Sequence, residues 1–229
     1  MNILVIDTSG PACGVAVAQA GKIVCELQLT SGRTHSQRVM PMVDTALALC
    51  ELTPADIDVF GAVVGPGSFT GVRIGVSTVK ALAQATGKPC LGVDALEALA
   101  YGACGFVGTI APMFDARRSQ VYAAAFAGGA EFARLQDDVA APLDEFVRGL
   151  PQGEVLFLGD GADAGRARIA ELRPGARFAP AHMNFPRAAA VCALAQAHPE
   201  RAVDYLALKP LYLRAPQAER ERLAKGLKV

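Results

Sequence analysis

The chain has 229 residues, 52% of them hydrophobic and 19% charged, with Lys+Arg and Asp+Glu both numbering 22. That is enough apolar mass for one large core or two smaller ones. A formal net charge of zero and the lack of any Trp exclude a protein that holds nucleic acid by global basic charge or broad stacking platforms, so RNA contact would need a local patch or a partner.

Taken in order, Ile3 to Ile6 is a short apolar strand turned by Asp7-Thr8-Ser9-Gly10. Val15, Val17 and Ile23 to Leu29 continue it as a hairpin or meander around Ala20-Gly21-Lys22. Asp7, at the end of a first strand, reads either as a ligand for a metal or a phosphate-bound water, or as a turn carboxylate accepting from Ser9 or Gly10. Thr30 to Arg33 is a polar loop. Thr34 or Ser36 can then cap a helix that runs to about Cys50, with Pro41 in its early part. Its apolar residues fill more than one stripe: Val39, Val43, Leu47 and Cys50 form one line, and Met42, Ala46 and Leu49 spread to another. Such a helix asks for a second partner, in its own fold or outside it, and methionines there suit an adaptable contact.

Val59 to Val64 is the apolar run of a buried strand, stopped by Gly65-Pro66-Gly67. Ser68 or Thr70 can cap the next helix, which carries Val72, Val76, Val79 and Ala83 at helical spacing and ends at Gly87 before Pro89. A strand, glycine loop and helix aim backbone N–H groups at one spot, which suits a phosphate. The same pattern also serves a tight turn that lets a helix lie close to its sheet. It is neither a Walker A loop nor a nucleophile elbow, because no Lys follows the last glycine and Pro66 replaces a required glycine.

Pro89 to Val93 is another strand, and Asp94 caps a helix over Ala95 to Ala100. Tyr101 to Gly108, small and glycine-rich, marks a boundary. Beyond it the order repeats. Met113-Phe-Asp115 echoes Val5-Ile-Asp7, Val121 to Phe126 echoes Val15 to Ala18, and Gly128-Gly129 turns where Gly21 did. Val155 to Ala162 echoes Ala62 to Ser68. Arg187 to Ala197 is a last core helix, and Glu219 to Lys228 a charged, solvated tail. A duplicated plan of strands and helices predicts two halves facing each other across a cleft. The cysteines, Cys13, Cys25, Cys50, Cys90, Cys104 and Cys192, form no C-x-x-C pair and mostly stand in apolar runs. They predict reduced, buried thiols in a cytoplasmic protein. Met1 to Asp7 starts a strand rather than a signal peptide, and no run approaches a membrane span.

Six of these segments together resemble the bacterial TsaB family, also called YeaZ: Ile6-Asp-Thr-Ser9, Thr34-His-Ser-Gln-Arg38 with Met40-Pro41, Gly65 to Gly75, Asp94 to Ala98, Asp115-Ala-Arg-Arg118 and Tyr212-Leu-Arg214. Val64 departs from the family, which often carries a charge there. The resemblance implies an α/β, duplicated actin/sugar-kinase/Hsp70-like (ribonuclease H-like) fold, with mixed sheets flanked by helices. Residues 1–105 would form one subdomain and 106–229 a second, reduced one. It further implies a non-catalytic partner that binds and activates TsaD, with the ATPase TsaE in the same complex. That complex transfers threonylcarbamoyl to the adenosine 3′ of the anticodon in tRNAs reading codons that begin with A. Alone, such proteins pair as homodimers through the TsaD surface, and tRNA is met through the complex.

TsaD-like proteins carry His-x-x-x-His on the helix corresponding to 95–100. Here Ala95 and Leu99 hold those places, and His35, His182 and His198 are scattered, so the resemblance implies no catalytic and no metal residues. The implied partner surface is His35, Arg38, Val39, Met42, Val43, Ala46 and Leu49, with Thr70 and Arg73 beside them. Asp7, Thr8, Ser9, Gly65, Gly67 and Ser68 keep the shape of a phosphate site, where ATP or ADP with Mg would bind weakly or jointly with a partner. The alternative is an ATPase or kinase of the same superfamily using Asp7 and Mg²⁺. A metalloprotease lacks its His-Glu-x-x-His.

Overall fold

The structure is a computed structural model and describes residues 1–30 and 34–214. Strands β1 (Asn2–Asp7), β2 (Cys13–Gln19) and β3 (Lys22–Leu29) form an antiparallel meander, and β4 (Val59–Gly65) and β5 (Cys90–Asp94) add in parallel beside β1, giving the order β3-β2-β1-β4-β5. In the second half, β6 (Gly108–Asp115), β7 (Gln120–Gly128), β8 (Ala133–Pro142), β9 (Val155–Leu158) and β10 (Arg177–Phe178) repeat that order as β10-β9-β6-β7-β8. The second half keeps all five strands. Its reduction lies in β9 and β10, at 4 and 2 residues against 7 and 5 for β4 and β5.

Both faces of each sheet are covered, which is why the strands read as continuous apolar runs. Along β1, Ile3 and Val5 join one core while Leu4 and Ile6 join another, the two-residue alternation of a pleated strand. The outer face of the first sheet carries α1 (Val39–Leu49) and α2 (Phe69–Thr86). The outer face of the second carries α4 (Leu143–Gly149), α5 (Asp160–Ala164) and α6 (Arg166–Leu172). Between the sheets lie α3 (Ala95–Tyr101) and α7 (Ala188–Ala197), and they are exchanged. Helix α3, from the first half, lies mainly against β6 and β7, while α7, from the second half, lies against β1, β2 and β3.

The exchange makes one shared core from Ile3, Val5, Leu91, Leu96, Leu99, Ile110, Phe114, Phe126, Val191 and Leu194. Alanines at 95, 98, 100, 188 and 195, all buried, keep both helices slim enough to fit between two sheets. Helix α7 is also tied down electrostatically. Glu26 on β3 accepts from the Ala189 N–H at 2.9 Å and pairs with Arg187, so a carboxylate of the first half sits at the helix N-terminus of the second, where negative charge is favoured.

Several expectations need correction. Helix α1 starts at Val39; His35–Gln37 is a separate 3-10 turn, and no side-chain cap from Thr34 forms. Pro41 falls in the first turn of α1, where a missing N–H costs nothing. Ser68, not Thr70, caps α2. The chain division at residue 105 is not a division in space, because the segment from Ala188 onward returns to the first sheet. Val203 and Cys90 exchange backbone hydrogen bonds at 2.7 and 2.9 Å, and the Leu211 N–H donates to Val64 O at 2.7 Å. All six cysteines are free, but only Cys13, Cys90 and Cys192 are buried; Cys25, Cys50 and Cys104 are half-buried. Burial pushes the Cys192 thiol up to about 12, which keeps it protonated and inert. Ser31 to Arg33 of the polar loop, and the charged tail Glu219 to Lys228, lie outside the described residues. Among the described residues no helix is long and apolar enough to cross a membrane.

A core shared by both halves predicts one cooperative unfolding transition. Leu99→Ala, opening a cavity at the centre of that core, should cost about 2–5 kcal/mol while keeping the transition single in a urea titration; two resolved transitions would show that the halves unfold independently.

Candidate functional site

The turn after β1 and its duplicate after β6 both line a cleft of about 720 Å³ between the halves. One wall is made by Ser9, Gly10, His35 and the Gly67–Thr70 segment, the other by Asp115, Arg117, Tyr122 and Asp160. Leu211 to Arg214 runs along it.

The first wall is knitted to itself. Asp7 is 2% exposed, and its Oδ1 accepts from the Ser9 N–H at 2.8 Å and the Ser9 hydroxyl at 2.7 Å. Burial nevertheless holds its carboxyl above the ordinary range, against the two Ser9 bonds and the nearby His35. The Thr8 hydroxyl donates to Gly71 O at 2.7 Å. The Ser68 N–H donates to Ser9 O at 2.7 Å, and the Gly71 N–H to Ser68 Oγ at 3.2 Å. The His35 ring lies 2.9 Å from Gly10 O through Nε2, so Nε2 carries the proton and His35 pins the turn from the side.

The glycines explain the closeness. A Cβ at Gly67 or Gly71 would fall within contact distance of the Ser9 or Thr8 carbonyl oxygen, and one at Gly75 would sit 2.5 Å from Thr8 Oγ1. Gly67, Gly71 and Gly75 therefore let the start of α2 clasp the 7–9 turn. Gly65 has φ +116°, and its missing side chain makes room for the Leu211 carbonyl, which would lie 2.6 Å from a Cβ there.

The second wall repeats the clasp more loosely. The Asp115 N–H donates to Asp160 Oδ1 at 3.0 Å and the Arg117 N–H to Asp115 Oδ1 at 2.7 Å. Gly161 packs on Phe114 and Asp115 as Gly71 does on Thr8. Burial is the main cause that raises the Asp160 carboxyl. Arg117, Arg118 and Ser119 all take left-handed φ, at 62°, 54° and 58°, a conformation side chains with a Cβ adopt only under constraint.

The C-terminal segment straps the two walls. The Arg73 Nε–H donates to the Tyr212 hydroxyl at 2.8 Å, the Arg73 guanidinium lies 3.9 Å from the Phe69 ring centroid, and the Phe69 and Tyr212 rings pack with centroids 4.9 Å apart, tilted by 33°. Two residues on, the Arg214 guanidinium faces the Tyr122 ring at 5.9 Å and donates to Ala140 O at 3.5 Å.

Of the predicted anion-site residues, Ser9, Gly67 and Ser68 line the cleft, Asp7 and Thr8 are buried behind Ser9, and Gly65 packs against Leu211. Of the surface set, Val39, Val43 and Ala46 are buried in the chain's own core. They are corrected out of any outer contact, because the sheet takes that stripe of α1. Leu49 is 69% and Met40 39% exposed; Met42 and Arg38 are half-buried. His35 belongs to the cleft wall. Thr70 and Arg73 are exposed on α2, next to α1 on the same face of the sheet. Ala95 and Leu99 are buried. Among the described residues no group of three or more His, Cys, Asp or Glu could hold a metal ion. Sequence reading missed Arg117, Asp160 and Arg214 as cleft residues. The duplication carried that signal, since pairing Asp115 with Asp7 puts the 115–119 turn opposite the 7–10 turn.

Over 223 residues, 96% of each chain, the sequence is 34% identical to the Bacillus subtilis (strain 168) tRNA threonylcarbamoyladenosine biosynthesis protein TsaB. The chain belongs to the TsaB family. The Escherichia coli (strain K12) member is 39% identical over 124 residues, 53% of each chain. Residues 28–222 match the family described as TsaD, tRNA N6-adenosine threonylcarbamoyltransferase. Among solved structures, YeaZ from Pseudomonas aeruginosa superposes with a TM-score of 0.82 at 28% identity, over 93% of this chain and 99% of that one. The ethanolamine utilization protein EutJ from Carboxydothermus hydrogenoformans shares the fold, with a TM-score of 0.53 at 11% identity over 84% of this chain and 90% of that one.

The clasp predicts that Gly71→Ala destabilises the protein by about 1–3 kcal/mol, since its methyl group meets fixed backbone. Gly10→Ala, where nothing lies within 4 Å of the added Cβ, should shift thermal unfolding little. Equal effects of the two substitutions would rule out the clasp as the reason for Gly71.

Proposed function

We propose that this chain is a cytoplasmic, non-catalytic subunit in the formation of threonylcarbamoyladenosine on tRNA, binding and activating a TsaD-family transferase. Family membership supports the pathway. The observation that carries the accessory role is the head of the cleft, in which Asp7 is bonded to Ser9, Ser9 to Ser68 and Thr8 to Gly71, together with buried Ala95 and Leu99 where the transferase has its paired histidines. Transfer chemistry needs a group that polarises the acyl carbon, and this arrangement offers none at those places.

The partner surface in this reading is the outer face of α1 and α2. Met40 and Leu49 supply exposed apolar contact, Met42 adapts at the margin, and Thr70 and Arg73 form the rim. A face with exposed, flexible apolar residues suits a contact made with TsaD and, when the chain is alone, with a second copy. A TsaE-family ATPase joins the same assembly, and tRNA is reached through it. ATP or ADP with Mg would be held weakly, or jointly with the partner. Arg117 and Arg214, across the cleft from the start of α2, are the cations available to its phosphates.

Two measurements test the proposal. Threonylcarbamoyl transfer to tRNA, reconstituted from purified components, should fall to background when this chain is omitted; full transfer without it ends the activator role. Leu49→Asp should weaken capture of the transferase at least tenfold while leaving the thermal midpoint within a few degrees, because Leu49 is exposed and not part of the core. Unchanged capture would move the interface elsewhere.

A further inference from the structure

The mouth of the cleft collects arginines and aromatic rings from both halves. Arg117 and Arg118 stand side by side in the turn between β6 and β7, both exposed. With Ser119 they hold left-handed φ, a strain that persists only where the surroundings enforce it. On the strap, Tyr212 is 39% exposed, and Arg214 faces the ring of Tyr122, a β7 residue of the second wall. From the first half, Arg73 holds Tyr212 through its hydroxyl, and the Phe69 ring packs on it.

These arginines differ from others on the surface. Arg166, Arg168 and Arg187 each pair with a carboxylate. Among the described residues no carboxylate oxygen lies within 4 Å of the charged nitrogens of Arg73, Arg117, Arg118 or Arg214. The two acids of the second wall are engaged with backbone: Asp115 Oδ1 accepts the Arg117 N–H, and Asp160 Oδ1 the Asp115 N–H. A chain with no net charge thus gathers unpaired positive charge at one place, which raises the local concentration of anions.

The layout selects the anion. A mononucleotide is best held where N–H groups and cations converge on one phosphate group at a glycine loop. Here the Ser68 N–H is already given to Ser9 O, and the arginines are spread between a turn and the strap with aromatic rings among them, so a free nucleotide is held weakly. Cations interleaved with rings suit a single-stranded polynucleotide, whose phosphates repeat along the chain and whose unpaired bases stack on aromatic and guanidinium faces.

We propose that the mouth of the cleft is a contact site for a single-stranded segment of tRNA, with Arg117, Arg118 and Arg214 meeting its phosphates and Tyr122 and Tyr212 its bases. The site rests on the reading of this chain as a subunit acting on tRNA, and it adds a direct contact to the one made through the assembly. Phe69 and Thr70 of α2 line the cleft, and Arg73, one turn on, stands at the rim of the docking face. RNA held at the mouth therefore runs beside a transferase docked on α1 and α2.

The test uses the full chain alone and a fluorescent, unmodified tRNA transcript, with binding read by anisotropy. The double variant Arg117→Asn, Arg118→Asn removes two cations and keeps residues that accept left-handed φ. It should bind the transcript at least about tenfold more weakly at low salt, and its slope of log affinity against log salt should flatten by about 1.4, the share of two single-strand phosphate contacts. A single-stranded oligoribonucleotide should displace the transcript at least about tenfold better than an RNA duplex of equal length, because paired bases cannot reach the rings. No binding by the parent, an unchanged slope in the variant, or equal competition by the duplex would each overturn the site. So would a variant that loses ADP with Mg and keeps tRNA, which would make the arginines a mononucleotide site only. The transferase is absent from this assay, so a chain that binds tRNA in this way yet proves dispensable for transfer would end the activator reading and leave the site standing.

Discussion

The exchange of α3 and α7 between the two sheets is the constraint on which the rest of the molecule depends. Each helix is covalently part of one half and packed largely against the other. Neither sheet can bury its inner face without a helix from the opposite half, so the halves form one core. Slim alanine-rich helices make this possible, since bulkier side chains would hold the sheets apart. The Glu26 contact with Arg187 and Ala189 adds direction to an otherwise non-specific apolar contact. The cleft is therefore a fixed feature of a single packed body, with its two walls held in register by the layer behind them.

Within that frame the glycine segment acquires a clear physical meaning. Glycine at positions 67, 71 and 75 places one face of α2 flush against the 7–9 turn, where the Ser68 N–H bonds Ser9 O and the Thr8 hydroxyl bonds Gly71 O. A hydrogen bond inside a buried clasp gains from the low local dielectric, and the same environment makes any unpaired group costly. That trade favours rigidity over ligand capture.

The outer face follows from the same packing. Helix α1 has apolar residues on more than one stripe because the sheet buries only one of them. Val39, Val43, Ala46 and Leu47 go inward, while Met40 and Leu49 remain at the surface. Met40 and Leu49, left exposed on α1 outside the buried stripe, are the physical basis for a partner-binding reading.

Much was legible in the sequence alone. Strand identity, the duplicated order of elements, the Ser68 and Asp94 caps and the Gly87 stop all depend on local chemistry and short-range periodicity, which do not need the rest of the chain. The family motifs likewise sit in contiguous segments. What required the tertiary structure was every choice between equivalent local options. Sequence left Asp7 open between ligand and turn carboxylate; only the fold shows that it is buried and accepts from Ser9. It could not divide the stripes of α1, because only the position of the sheet decides which one is covered. It split the chain at residue 105, whereas α7 and the strap return to the first half, since contacts between distant segments leave no local pattern.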